Sequence, residues 1–198
     1  MDKKILRKQK MQERDSLSAE MRQAFSDIIT NKVIELEEYK QAETILCYVS
    51  CRSEVRSVEL IENSLKEGKT VGVPKVEGDD MCFYRIMSLN DLEPGYFGVL
   101  EPKTCKPIEE INNSLVIVPG LVFDLDLNRI GYGKGFYDRY FQMAETVGNS
   151  LIKCGIAYDM QICDRIETDQ YDRHLDMIIT EKRIIRKNNQ IKRNHITR

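Results

Sequence analysis

Short apolar runs alternate with helical stripes along this chain, and that alternation constrains the fold more than any other feature. The runs are TILCYVS from Thr44, TVGVP from Thr70, MCFYRI from Met81, SLVIVPG from Ser114, LIKCGIAY from Leu151 and LDMIITE from Leu175. Continuous apolar character over so few residues marks strands buried on both faces. Between them lie helical patterns. Residues 2–14 form a basic helix with no Gly or Pro to stop it. Ser18 stands as the N-cap of a second helix with the stripe Met21, Phe25, Ile28, Ile29, Val33 and Leu36. Residues 56–67 turn Val58, Leu60, Ile61 and Leu65 inward and end near Gly68, and FYDRYFQMAE continues from Phe136 as helix. Strand–helix alternation predicts an α/β fold. We expect a three-layer α/β/α arrangement around a largely parallel central sheet, with ligands bound at the C-terminal ends of the strands. The stretch 88–114 carries three of the five prolines and is expected to be irregular, lying over the surface as a binding loop or cover.

The 198 residues suffice for one domain with a sizeable core. We divide the chain into a single domain over 1–182 and a basic tail over 183–198. No apolar run approaches the ~18 residues of a membrane span. The opening MDKKILRKQK lacks the apolar centre of a secretory signal. Six scattered cysteines without a CxxC pair read as reduced thiols, so a cytoplasmic location is expected. The net charge of −2 is unevenly placed: residues 181–198 hold seven lysines and arginines against one glutamate, and the remainder carries −8. An acidic body makes general nucleic-acid binding a poor fit, and the tail reads as a solvated end.

The chemistry concentrates in NRIGYGKGFYDRY, residues 128–140. Gly131, Gly133 and Gly135 alternate, Lys134 stands between two of them, and Asp138 follows on the first turn of a helix. Glycines let backbone N–H groups approach an anion, the helix N-terminus adds its positive end, and Lys134 adds a full charge. Asp138 would repel a bare phosphate but suits Mg²⁺, which takes carboxylates together with phosphate oxygens. The spacing matches neither a Walker A loop, which needs Ser or Thr after the lysine, nor a dinucleotide fingerprint. A metal–triphosphate ligand accounts for all these parts together. A plain strand-to-helix turn accounts for the glycines alone.

VPGLVFDLDLNRIGYGKGFYDRYF, residues 118–141, resembles the signature of the 5-formyltetrahydrofolate cyclo-ligases, or 5,10-methenyltetrahydrofolate synthetases. KKILRKQK, YVSCRSEV, FGVLEP and ETDQYDRHLDMIITE resemble further segments of that family, so the likeness runs from about residue 3 to residue 182. The family often has glycine where Leu127 stands, leaving Asn128 to supply a left-handed turn position. Its closing segment more often carries a proline and histidine where Gln170 and Tyr171 precede Asp172.

The resemblance implies an ATP- and Mg²⁺-dependent closure of 5-formyltetrahydrofolate to 5,10-methenyltetrahydrofolate, with ADP and phosphate released through a phosphorylated formyl oxygen. It implies that Lys3, Lys4, Arg7, Arg129, Gly131, Tyr132, Gly133, Lys134, Gly135, Phe136 and Tyr137 bind ATP. Arg129 and Lys134 would neutralise the transferring phosphoryl group. Val49, Glu54, Tyr132 and Phe136 would bind the folate, with Glu54 accepting hydrogen bonds from pterin N–H groups. Asp138 and Asp172 would hold Mg²⁺. His174 reads as a loop residue. The partners are then 5-formyltetrahydrofolate and ATP, with no membrane or nucleic acid, and the protein a monomer or small homo-oligomer. Two other classes compete: a sugar-phosphate isomerase or CoA-transferase-like enzyme of a related fold, and a non-catalytic module binding RNA or protein through its tail.

Overall fold

A computed structural model describes residues 2–95, 98–103 and 106–187. Helix α1 (Lys3–Asp15) starts at Asp2, whose side chain accepts from Lys4 N. Helix α2 (Ala19–Glu35) starts at Ser18, whose hydroxyl accepts from Met21 N, and α3 (Glu37–Gln41) follows. Then come β1 (Thr44–Cys47), α4 (Val58–Lys66), β2 (Thr70–Glu77) and β3 (Asp80–Ile86). A small hairpin of β4 (Leu92–Pro94) and β5 (Leu100–Pro102) precedes β6 (Ser114–Val118), β7 (Val122–Asp124), β8 (Arg129–Ile130) and α5 (Phe136–Thr146). The chain continues through β9 (Leu151–Ile156), β10 (Ile162–Cys163), β11 (Met177–Ile179) and β12 (Ile184–Arg186).

The main sheet has seven strands in the order β12-β11-β9-β6-β1-β2-β3. Its interior pairings are all parallel, and only the edge strands β3 and β12 run antiparallel. Alternate residues of the central strands face opposite layers. Ile45, Leu115, Ile117, Met177 and Ile179 pack with Ile29 and Val33 of α2 and Leu60 and Ile61 of α4. Leu46, Val116, Val118 and Ile178 pack with Tyr140, Phe141 and Ala144 of α5. The three-layer α/β/α expectation therefore holds. A second sheet, β10-β7-β8, continues from the C-terminal ends of β6 and β9, and Leu6 of α1 packs against its Val122 and Ile130.

Four details differ from the sequence reading. Met21 and Ile28 are exposed, because only the narrower set Phe25, Ile29, Val33 and Leu36 faces the sheet. Part of 88–114 is regular: a 3-10 turn over Leu89–Asp91 leads into the β4–β5 hairpin. The boundary after residue 182 cuts the sheet, since Ile184–Arg186 pair with β11 and Arg186 is bonded to Glu38. The rest of the tail, 188–198, lies outside the described residues. The left-handed residue of the turn after β7 is Leu127, with φ 68°, and not Asn128. Asn128 is committed elsewhere: its backbone N–H and side-chain amide both donate to Asp124.

Candidate active site

Three chain segments meet at the C-terminal ends of the neighbouring parallel strands β1 and β6. The first is the loop after β1. Tyr48 Oη donates to Val55 O at 2.7 Å, Ser57 Oγ donates to Tyr48 O at 2.7 Å, and Ser50 N donates to Ser57 Oγ at 2.9 Å. These cross-links hold Glu54, 7% exposed, in place. Val49, on the same loop, is buried in the core.

The second is the glycine segment between β8 and α5. Gly135, at φ 67°, is the N-cap of α5, a conformation that side-chain-bearing residues rarely adopt. Two guanidinium groups flank the bare backbone. A Cβ on Gly131 would lie 3.4 Å from Arg129 Nη1, and one on Gly133 would lie 3.6 Å from Arg7 Cζ. Arg7 Nε also donates to Gly131 O at 2.8 Å. Arg129 is nine-tenths buried and donates through Nη2 to Asp138 Oδ1 at 2.8 Å, while its Nε has no partner. A buried cation with a donor left over is costly unless an anion completes it. Lys134 is exposed on the same segment.

The third is the connection from β9 to β11. Lys3 Nζ bonds Asp172 Oδ2 at 2.7 Å and approaches Asp169 Oδ2 at 3.4 Å. Burial pulls the Lys3 pKa down, but the Asp172 and Asp169 carboxylates together outweigh it and hold the ammonium above its usual value. Asp138 Oδ1 accepts from Arg173 N at 3.2 Å as well as from Arg129. Among the described residues, Asp138 Oδ2 and Asp172 Oδ1 have no hydrogen-bond partner. No group of three or more His, Cys, Asp or Glu side chains there forms a ready-made metal site. Two carboxylates with one open oxygen each suit an ion that draws its other ligands from phosphate and water.

Helix α1 ties the three segments together. Lys3, Arg7, Lys10 and Arg14 recur at helical spacing and share one face. Lys3 reaches Asp172 and Arg7 reaches Gly131. Lys10 Nζ donates to Met160 O, and Arg14 bonds both Ser53 and Tyr132. Lys4 points away and is exposed. Sequence reading took Lys3, Lys4 and Arg7, of which Lys4 lies off the shared face, and missed Arg14, although the same period identifies it. It also missed Asp124, a fully buried carboxylate that accepts from Asp126 N, Asn128 N, Asn128 Nδ2 and Ile166 N and so shapes the turn before the glycines.

The aromatic residues divide. Tyr137 is partly buried, packs edge-on to Phe83 at 6.4 Å and lies under Arg129; its buried hydroxyl has no partner. Phe136 lies under Arg139 and is partly buried. Tyr132 is half exposed, yet its hydroxyl donates to Glu54 Oε1 at 2.6 Å. Burial, and then the Glu54 charge, raise its pKa well above the usual phenol value. The nearby Cys51 thiol is pushed up to about 11 by burial and by Glu54, so it stays protonated at neutral pH and is no thiolate nucleophile. His174 is exposed.

The fold and these groups together define an α/β protein with two guanidinium groups against bare glycine backbone at the strand ends and a sequestered carboxylate beside them. The chain belongs to the 5-formyltetrahydrofolate cyclo-ligase family, whose pattern matches residues 1–181. A probable 5-formyltetrahydrofolate cyclo-ligase of Schizosaccharomyces pombe is 33% identical over 172 residues, covering 80% of this chain and 84% of the relative. The 5-formyltetrahydrofolate cyclo-ligase of Mus musculus is 30% identical over 197 residues, covering 90% and 93%. The solution structure of the 5,10-methenyltetrahydrofolate synthetase of Aquifex aeolicus superimposes with a TM-score of 0.84 at 32% identity, and all of both chains is covered. The structure of a 5,10-methenyltetrahydrofolate synthetase from Mycoplasma pneumoniae gives 0.73 at 28% identity, covering 91% and 99%. These matches favour a ligase of folate metabolism over the isomerase, CoA-transferase and tail-binding readings.

Proposed function

We propose that this site closes 5-formyltetrahydrofolate to 5,10-methenyltetrahydrofolate, using ATP and releasing ADP and phosphate. The observation that carries the reading is Arg129: a buried guanidinium with an unpartnered Nε, packed with Arg7 against bare glycine backbone at the start of α5. A triphosphate supplies what that arrangement lacks.

The formyl oxygen of an amide is a poor leaving group. Transfer of the γ-phosphoryl group onto it makes a good one. N10 then attacks the formyl carbon and loses its proton, and the C–O bond breaks with its electrons leaving on phosphate. The protein's part is positioning and charge neutralisation. Lys3 and Arg7 hold ATP from α1, while Lys4 faces away from them and takes no part. The backbone of Gly131, Gly133 and Gly135 cradles its phosphates, and Arg129 and Lys134 offset the charge on the transferring group. Phe136 and Tyr137 back the nucleotide. Val49 shapes the folate site with Glu54, which receives the pterin N–H edge with Tyr132 and Phe136 nearby. Asp138 and Asp172 would hold Mg²⁺, which would supply charge to offset the phosphates and let carboxylates sit beside a polyanion. Lys3 and Arg129 now pair with those carboxylates and would turn to phosphate when ATP enters.

The reading places the protein in the cytoplasm, as a monomer or small homo-oligomer. No helix among the described residues is long and apolar enough to cross a membrane, and the described cysteines are unpaired. Replacing Lys134 by Ala tests the cradle. Because the side chain is exposed, the urea midpoint should stay put, while the KM for ATP should rise about tenfold for one lost charged contact. An unchanged KM would remove Lys134 from the site.

A further inference from the structure

The Glu54 carboxylate is already engaged. Oε1 accepts the 2.6 Å bond from Tyr132 Oη, and Oε2 accepts from Cys51 N at 3.0 Å. Tyr132 Oη in turn accepts from Arg14 Nη2 at 3.0 Å. Arg14 is 2% exposed and fixed through Nε to Ser53 Oγ at 3.0 Å. A guanidinium only donates, so the phenol oxygen must accept from Arg14, and its single proton is directed at Glu54. Only this polar end is sequestered; the residue as a whole is 50% exposed. It also hangs from the most pliable backbone of the site, between Gly131 and Gly133, the latter at φ 98°.

A pterin edge offers parallel N–H donors and needs both carboxylate oxygens to receive them. The Tyr132 proton stands where one of those donors must go. We propose that Tyr132 gates the folate site: its hydroxyl holds the Glu54 oxygen that the pterin takes, so folate binds only as Tyr132 leaves. The gate rests on the assignment of Glu54 as the folate carboxylate. It makes Tyr132 a residue that sets folate affinity from the nucleotide loop, in place of the aromatic wall that its ring suggested from sequence.

The test is direct binding of 5-formyltetrahydrofolate, without ATP, to wild type, Tyr132→Phe, Glu54→Gln and the double variant, by titration calorimetry. Tyr132→Phe keeps the ring and removes the competing proton, so the Kd should fall about tenfold, the worth of one hydrogen bond to a charged group. Glu54→Gln should weaken binding, and in that background Tyr132→Phe should have little further effect. Equal or weaker folate binding by Tyr132→Phe, with Glu54→Gln still weakened, would overturn the gate while leaving Glu54 as the folate ligand. Unchanged binding by Glu54→Gln would overturn both.

Discussion

Leu127 holds a left-handed backbone with its side chain 2% exposed in the core beneath α5. The conformation costs a branched residue roughly 1–2 kcal/mol, and burying leucine returns about 1.5–3 kcal/mol. The two nearly offset, so a leucine survives where glycine is usual. The prediction inverts the ordinary order of truncations: Leu127→Gly should be more stable than Leu127→Ala by about 1 kcal/mol in urea unfolding, since both lose the packing and only glycine relieves the strain. Asn128 was the legible candidate from sequence, because asparagine tolerates positive φ. Asp124 takes both of its donors, and that commitment spans buried groups no local pattern reveals. Asp124→Asn should cost about 2 kcal/mol or more, because an amide in that pocket meets at least one backbone N–H donor with a donor of its own.

At the scale of elements, α1 was legible as a helix and half legible as a site element. Its basic residues are plain in the sequence. What they face depends on Leu6 docking on β7 and β8, strands of three and two residues, too short to show a period. The β4–β5 hairpin and β12 were lost for the same reason. Arg7→Ala should raise the KM for ATP about tenfold with little change in stability, since one guanidinium leaves both Gly131 O and the phosphate position. Ser18→Ala should do the reverse, costing about 1 kcal/mol of stability through the lost N-cap of α2 while leaving the KM for ATP unchanged. Steady-state kinetics beside urea unfolding of both variants separates an element that carries the site from one that only supports it.

For the whole molecule, the short, continuously apolar runs fixed the layer order: Leu115, Val116, Ile117 and Val118 are all fully buried, and such a strand has a place only in the middle of a covered sheet. The glycine segment followed that strand in the sequence and therefore had to emerge at its C-terminal end. What the chain pattern did not carry was the pairing across segments: Lys3 with Asp172, Arg129 with Asp138, and Tyr132 with Glu54, separated by 169, 9 and 78 residues. These contacts couple cations, carboxylates and the glycine backbone into one unit, so loss of a single carboxylate should be felt as loss of ATP use and not of fold. The decisive measurement is the absorbance of methenyltetrahydrofolate formed from 5-formyltetrahydrofolate, Mg²⁺ and ATP by wild type and Asp138→Ala. ATP-dependent product from wild type, with kcat/KM lowered at least about a hundredfold in a folded Asp138→Ala protein, is the expected result. Equal turnover by the two proteins, or no product from folded wild type, would contradict the assignment of this site to metal-assisted phosphoryl transfer onto the folate.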